Sequence, residues 1–220
     1  MRKLMFIVIV CAFMATPAMA DLYVSVPGKA CPYFAGQTYP VPMATTGDSW
    51  NYHLDRDDPG TMPPWVDVTG FGGTIPSITA TGTWGHPPLS GPDGYGSYDP
   101  THQEYIDLGI SPVINTPLNA LIGVFLTDAT PVAFSAPSSL TFGVSDMTSP
   151  LLQQTFVIGS SLQNITIPSG ATRLFFGLNN GYEWTNNVGA LDVSVVPAPA
   201  AVLLGMIGLS VAGVKLRKFA

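Results

Sequence analysis

The sequence predicts an all-β domain, a β-sandwich, and three observations support that prediction. Short runs recur in which apolar and polar residues alternate with a period of two, as on a strand with one buried face. Turn-forming residues separate these runs, in a chain with 23 glycines, 21 prolines and only 10% charged residues. No segment between the two apolar ends keeps helical periodicity over three turns, so coiled coils and long-helix bundles are excluded.

The alternating runs predict eight strands, and short strands joined by Pro/Gly-rich turns are typical of a sandwich. In chain order they are Leu22–Val26, Trp65–Val68, Ser77–Trp84, Leu121–Leu126, Gln154–Ile158, Asn164–Ile167, Arg173–Leu178 and Ala190–Val195. The stretch from Pro27 to Pro64 lacks alternation and is rich in Pro, Gly and Asp. We therefore predict that it forms an irregular subregion lying over one face of the sandwich.

The first twenty residues have the pattern of a secretory signal peptide. Arg2 and Lys3 precede an apolar run, and the small residues Ala18 and Ala20 flank a cleavage site before Asp21. The run is too short for a stable membrane anchor. We therefore expect export, with residues 1–20 removed, an irregular part of the β domain at 21–64, the sandwich core at 65–196 and a separate tail at 197–220.

The tail contains an apolar run from Ala200 to Val214, followed by three basic residues. With its basic end held on the cytoplasmic side, it is predicted to form a short transmembrane helix. The run follows a Pro motif, Val196, Pro197, Ala198 and Pro199. This order resembles the PEP-CTERM sorting tail of exosortase substrates, although Ala198 stands where that family most often has Glu.

The sorting resemblance implies a partner and a location. An exosortase-type enzyme would cut the tail near the Pro motif after transient anchoring in the inner membrane. The body would remain at the cell surface or in the extracellular matrix. A simple C-terminal membrane anchor is the alternative.

The charge of the exported body restricts its ligands. All 14 acidic residues lie in it, but only Lys29, Arg56 and Arg173 are basic there, which gives a formal charge of −11. A body this acidic does not bind nucleic acid by neutralising phosphates, whereas Ca²⁺ and neutral sugars suit it. Because Cys11 leaves with the signal peptide, Cys31 has no intramolecular disulfide partner and is expected to be a small buried apolar residue.

The stretch from Leu178 to Gly189 joins the last two predicted strands and contains four asparagines and one glutamate. Side-chain and backbone carbonyl oxygens together with a carboxylate are the ligands that Ca²⁺ prefers. The alternative is a turn in which the asparagines only hydrogen-bond their own backbone. Tyr182 and Trp184 in the same stretch could stack on a sugar ring or plug the end of the sandwich.

From Trp65 to Val195 the order of landmarks resembles the PA-IL-like family, the calcium-dependent galactophilic bacterial lectins. The matching pieces are Ala80–Trp84, Gly91–Gly94, Asn119–Gly123, Arg173–Phe176 and the pair Asn180–Gly181 with Asn186–Gly189. The resemblance implies a sandwich of the lectin-like jelly-roll or galactose-binding type. It also implies calcium-assisted binding of an extracellular polysaccharide without catalysis.

The family's calcium ligands transfer to this chain residue by residue. Its paired asparagines fall on Asn186 and Asn187, its aspartate on Asn179 or Asn180, its threonine near Glu183, and its backbone carbonyl donor near His86. The sugar-contacting stretch of the true lectins has no clear counterpart, and residues 98–103, with His102 and Gln103, occupy about that place. Exchange of Asp for Asn removes a charge from the calcium site, which Glu183 would restore.

Two other functions stay open. The first is a ligand-free structural matrix protein whose asparagine loop is only a turn. The second, less favoured, is a secreted glycan-processing enzyme, for which no nucleophile or metalloprotease motif occurs. An acidic stretch from His53 to Gly60 lacks the closing glutamate of an EF-hand, so we interpret it as a solvated turn.

Overall fold

The computed structural model describes residues 20–38, 60–98, 108–180 and 184–197. These residues form two antiparallel sheets and a single turn of 3-10 helix, Pro32–Phe34, so the all-β class predicted from the sequence is confirmed. No helix in these ranges is long and apolar enough to cross a membrane. The signal peptide and the tail from Ala198 onward lie outside the described residues.

Nine strands occur in the described part. They are β1 (Leu22–Pro27), β2 (Trp65–Asp67), β3 (Thr74–Gly85), β4 (Asp93–Tyr98), β5 (Thr116–Leu126), β6 (Thr155–Val157), β7 (Ser161–Thr166), β8 (Arg173–Leu178) and β9 (Val188–Val196). Strand β4 was not predicted, because its sequence has no apolar alternation and two of its six residues are glycines with positive φ.

The first sheet has the strand order β1-β9-β3-β7. Its central pair, β3 and β9, stays in register over nine residue pairs, from Ser77 opposite Val196 to Gly85 opposite Val188. Inward-facing apolar residues alternate with exposed ones along β9, and Leu191, Val193 and Val195 are buried. The period of two therefore sets which face of this sheet meets the core.

The second sheet has the order β2-β8-β5-β4, and β6 also pairs with β5. Strand β8 lies along one edge of β5, whereas β4 and β6 follow each other along the other edge. All but two residues of β5 are buried, because it is covered on both faces. A continuous apolar run of this kind is what a central strand requires, and Phe125 stacks on Phe156 at a centroid distance of 5.4 Å.

The described part of the predicted irregular subregion packs against β8. Ala30 and Pro32 lie so close to Gly177 that a side chain there would overlap them. The Leu178 amide donates to the Ala30 carbonyl at 3.0 Å. Cys31 is fully buried in this contact, and burial raises the pKa of its thiol, so the thiol stays protonated and apolar.

Candidate functional site

The candidate site lies at the end of the sandwich where β8 ends and β9 begins. Because Gly85 is the last β3 residue paired with β9, opposite Val188, the next residues beyond the pair are His86 and Asn187. An antiparallel register therefore brings together two segments about a hundred positions apart in sequence. His86 is the residue near which the lectin resemblance placed its backbone carbonyl donor.

We call this end of the sandwich, where His86, Asn187 and the end of β8 lie, the corner. Strand β5 links the end of β8 to the rest of the corner. The Asn119 amide donates to the Asn179 carbonyl at 2.8 Å, and the Asn179 amide donates to the Ala120 carbonyl at 2.9 Å. The indole Nε1 of Trp84 donates to the Asn119 carbonyl at 2.8 Å. These bonds hold β3, β5 and β8 together at this end of the molecule.

Asn179 and Asn180, the two candidates for the calcium-binding aspartate position, are both buried. Asn179 uses its Nδ2 to donate to the Pro117 carbonyl at 2.9 Å. Its Oδ1 is buried without a hydrogen-bond partner in the described part of the chain. A buried amide oxygen in this state is suited to a cation or to an ordered water molecule.

Asn186 and Asn187, predicted as a pair of adjacent ligands, are not equivalent. Asn186 is exposed, whereas Asn187 is 1% exposed and its Nδ2 donates to the Trp184 carbonyl at 3.2 Å. The Asn187 backbone amide also donates to that carbonyl, at 3.3 Å. One amide of the pair therefore stabilises the turn itself, which is the role that the alternative interpretation assigned to this loop.

The structure gives Trp184 a position in the core. Its side chain is 2% exposed, its Nε1 donates to the Leu178 carbonyl at 3.0 Å, and its ring meets Tyr33 edge to face at 5.9 Å. A ring buried in this way has no open face for a sugar. The proposed stacking role of Trp184 is therefore corrected to that of a plug at the end of the sandwich.

Several predicted site residues cannot be placed. Tyr182 and Glu183 lie outside the described residues, as do His102, Gln103 and the acidic stretch before Gly60. The described part of the sorting motif, Val196 and Pro197, consists of the last residue of β9 and a buried proline. His86 lies within the described residues and is exposed.

The asparagine side chains at the corner are neutral and offer amide oxygens as donors. Within the described ranges no group of three or more His, Cys, Asp or Glu residues could hold a metal ion. A cation at this corner would therefore depend on amide and backbone carbonyl oxygens, with Glu183 as the nearest carboxylate in sequence. Such a donor set fits Ca²⁺ in kind and predicts weak binding, because affinity rises with the number of charged ligands.

Sequence reasoning missed Asn119 as a site residue. It is 1% exposed, has a φ of +63°, and its side-chain amide lies against Gly85. The sequence carries one signal for it, since Asn119 interrupts the otherwise apolar run from Leu118 to Leu126. That run is buried, so a polar residue inside it needs a specific reason.

No family model matches the chain, and no curated protein matches it. Among solved structures, a similar one is the N-terminal domain of EclA, described as a PllA-like lectin. It is 12% identical, the match covers 82% of this chain and 98% of that chain, and the TM-score is 0.36. A likeness this distant does not identify a ligand. Any functional conclusion therefore depends on the residues described above.

Proposed function

We propose that the chain is an exported, non-enzymatic protein of the cell surface or extracellular matrix that binds carbohydrate weakly with the help of Ca²⁺. The observation that supports it is the convergence of three chain segments at one corner. His86 and Asn187 follow the last β3–β9 pair, and Asn179, just after β8, is hydrogen-bonded to Asn119, whose side chain lies against Gly85. A buried amide oxygen without a partner among the described residues lies in the same corner.

The residues that would hold the ion are neutral oxygen donors and one carboxylate. They are the amide oxygens of Asn179, Asn180, Asn186 and Asn187, the backbone carbonyl of His86 and the carboxylate of Glu183. Bound Ca²⁺ would supply coordination of sugar hydroxyls, as hard cations bind oxygen. The rigid sheet ends would hold the protein ligands in place, while Tyr182, His102 and Gln103 would contact the sugar.

The location is part of the same proposal. The signal peptide would direct export, and the tail would anchor the chain in the inner membrane until an exosortase-type enzyme cuts near Pro197–Pro199. The polysaccharide that surrounds the cell is then the ligand that the protein meets. The role would be adhesion or organisation of that polysaccharide.

A ligand-free structural matrix protein is the second candidate, and one observation favours it. Asn187, a proposed calcium ligand, and Trp184, for which the sequence suggested sugar stacking, are both buried, and the Asn187 amide donates to the Trp184 carbonyl in a compact turn. A loop that uses its amides internally needs no ion to be ordered.

Calorimetry with CaCl₂ on the full chain in detergent, followed by a glycan array with and without chelator, separates the two candidates. We expect saturable calcium binding that Asn187→Ala reduces at least tenfold, and glycan signals that the chelator removes. Asn164→Ala is the matched control, because Asn164 is an exposed asparagine on β7, away from the corner. No heat of binding and no glycan signal would support the structural role, and hydrolysed glycan would indicate an enzyme.

A further inference from the structure

Asn119 combines a backbone conformation that is unfavourable for most residues with a buried polar side chain. Its backbone has a φ of +63°, a left-handed conformation that non-glycine residues adopt at some cost, although Asn adopts it more readily than most. Its side chain is 1% exposed, in a strand that is otherwise apolar from Leu118 onward. Unfavourable features that persist together in a packed core are concentrated at functional sites.

The second feature is the contact between Asn119 and the end of β3. A Cβ atom on Gly85 would overlap the Asn119 amide, and Gly85 itself has a φ of +105°. Only glycine at position 85 therefore leaves room for this side chain. The contact places the Asn119 amide directly beside the residue that precedes His86, whose carbonyl is a proposed calcium ligand.

The third feature is an unmatched donor. The Asn119 Nδ2 is buried without a hydrogen-bond partner in the described part of the chain. A buried polar group in that state is destabilising, so nearly all such groups find a protein or water partner. Because Nδ2 carries hydrogens, the partner it lacks is an acceptor oxygen rather than a cation.

We propose that Asn119 is a positioning residue of the candidate site, and that its amide donates to an acceptor oxygen held there when the site is filled. That oxygen belongs to a water molecule or to a hydroxyl group of the sugar. Through its backbone Asn119 fixes the end of β8 at Asn179, and through its side chain it fixes the end of β3 at Gly85. This role rests on the proposed carbohydrate-binding function.

The test compares Asn119→Gly with Asn164→Gly in the full chain. Both positions have positive φ, +63° and +56°, so glycine suits both backbones, and only the first change removes an amide from the corner. We expect Asn119→Gly to weaken calcium binding in calorimetry, or binding of a glycan identified on the array, at least fivefold. The Tm of Asn119→Gly should stay within a few degrees of that of Asn164→Gly. A residue with only a structural role would not lose binding while keeping its Tm.

The conservative change Asn119→Asp tests whether the Asn119 side chain binds an acceptor oxygen or a cation. The carboxylate keeps the shape but removes the donor, so we expect weaker glycan binding and no gain in calcium affinity. Calcium binding that becomes tighter in Asn119→Asp would overturn this role, since the side chain would then contact the ion. Crystal structures with and without glycan identify the source, because water appears beside Nδ2 in both and a sugar hydroxyl in only one.

Failure of this role differs from failure of the proposed function. Wild-type protein that binds glycan while Asn119→Gly binds it equally well overturns the positioning role alone. Wild-type protein that binds neither calcium nor any glycan overturns the proposed function and, with it, this role.

Discussion

Side chains at the corner are tightly packed between the ends of the two sheets. Trp184 fills the gap between the β8–β9 turn and the N-terminal segment, where its ring contacts Tyr33. Gly85 admits the Asn119 side chain only because it has none of its own. Packing at this density makes the corner sensitive to changes of a few atoms.

We expect Trp184→Ala to lower the free energy of unfolding by about 3–5 kcal/mol, because it opens a cavity and removes the hydrogen bond to Leu178. Trp65→Ala is the control, since Trp65 is 49% exposed on β2 and its loss should cost only about 1–2 kcal/mol. Urea unfolding followed by circular dichroism measures both. Equal losses for the two variants would show that Trp184 does not plug the core.

Gly85 and Gly72 provide a matched pair for the close contact with Asn119. Both have positive φ, but a Cβ at Gly72 meets nothing within 4 Å, whereas one at Gly85 overlaps the Asn119 amide. We expect Gly72→Ala to cost about 1–2 kcal/mol from backbone strain alone. Gly85→Ala should cost about 1–3 kcal/mol more because of the overlap, and it should also weaken any calcium binding, which calorimetry would detect. Equal costs would mean that the Asn119 side chain moves freely.

At the scale of elements, turns set the ends of the strands. After β2, the Asp67 carboxylate accepts from the backbone amide of Thr69 at 2.8 Å and from its hydroxyl at 2.6 Å. Asp146 and Thr148 repeat this arrangement, at 2.8 and 2.7 Å, in the long connection between β5 and β6. These local hydrogen bonds stabilise a turn in each case, and the first of the two turns comes at the end of β2.

These turns predict a pH dependence. The Thr69 hydroxyl and then its backbone amide bind the ionised Asp67 and hold its pKa below the ordinary value of 3.8. Because the folded-state pKa is lowered, ionised Asp67 stabilises the turn at a pH above the unfolded-state pKa. This contribution is lost as the pH falls through the folded-state pKa. Carboxyl NMR titration should find the Asp67 midpoint below 3.8 in wild type and nearer 3.8 in Thr69→Val. Identical midpoints would exclude the hydroxyl as the main cause.

At the scale of the whole molecule, β9 connects the candidate site to the tail. It begins at Val188 beside the corner and ends at Val196, eight residues later, where the predicted sorting motif starts. At about 3.3 Å per residue this separates the two by roughly 26 Å along the strand. The candidate site and the predicted motif therefore lie at opposite ends of β9.

For the tail, mass spectrometry of the mature protein from the cell surface should detect peptides up to the Pro motif and none from Ala200 onward. The reason is that a cut near Pro197–Pro199 separates the body from the apolar run. Peptides from Leu22–Val26 serve as the internal control for recovery of the body. An intact tail in most molecules would make it a simple membrane anchor.

Much of the fold could be predicted from the sequence because its signals are local. Period-two alternation identified β9 and the apolar run identified the C-terminal half of β5, since each side chain's face follows from its own position. Strand β4 was missed because glycine leaves no alternation to detect. Strands β5 and β7 begin before their predicted starts, at Thr116 and Ser161, and each contains an asparagine with positive φ, Asn119 and Asn164.

By itself the sequence determined the all-β class, the acidic body and the loop in which four asparagines cluster, because composition and spacing are properties of the chain alone. Only the tertiary structure decided that His86 meets Asn187, that Trp184 is buried and that Asn119 belongs to the corner. Those facts depend on register between strands far apart in sequence and on which side chains compete for the same interior space. Neither is encoded in any one segment.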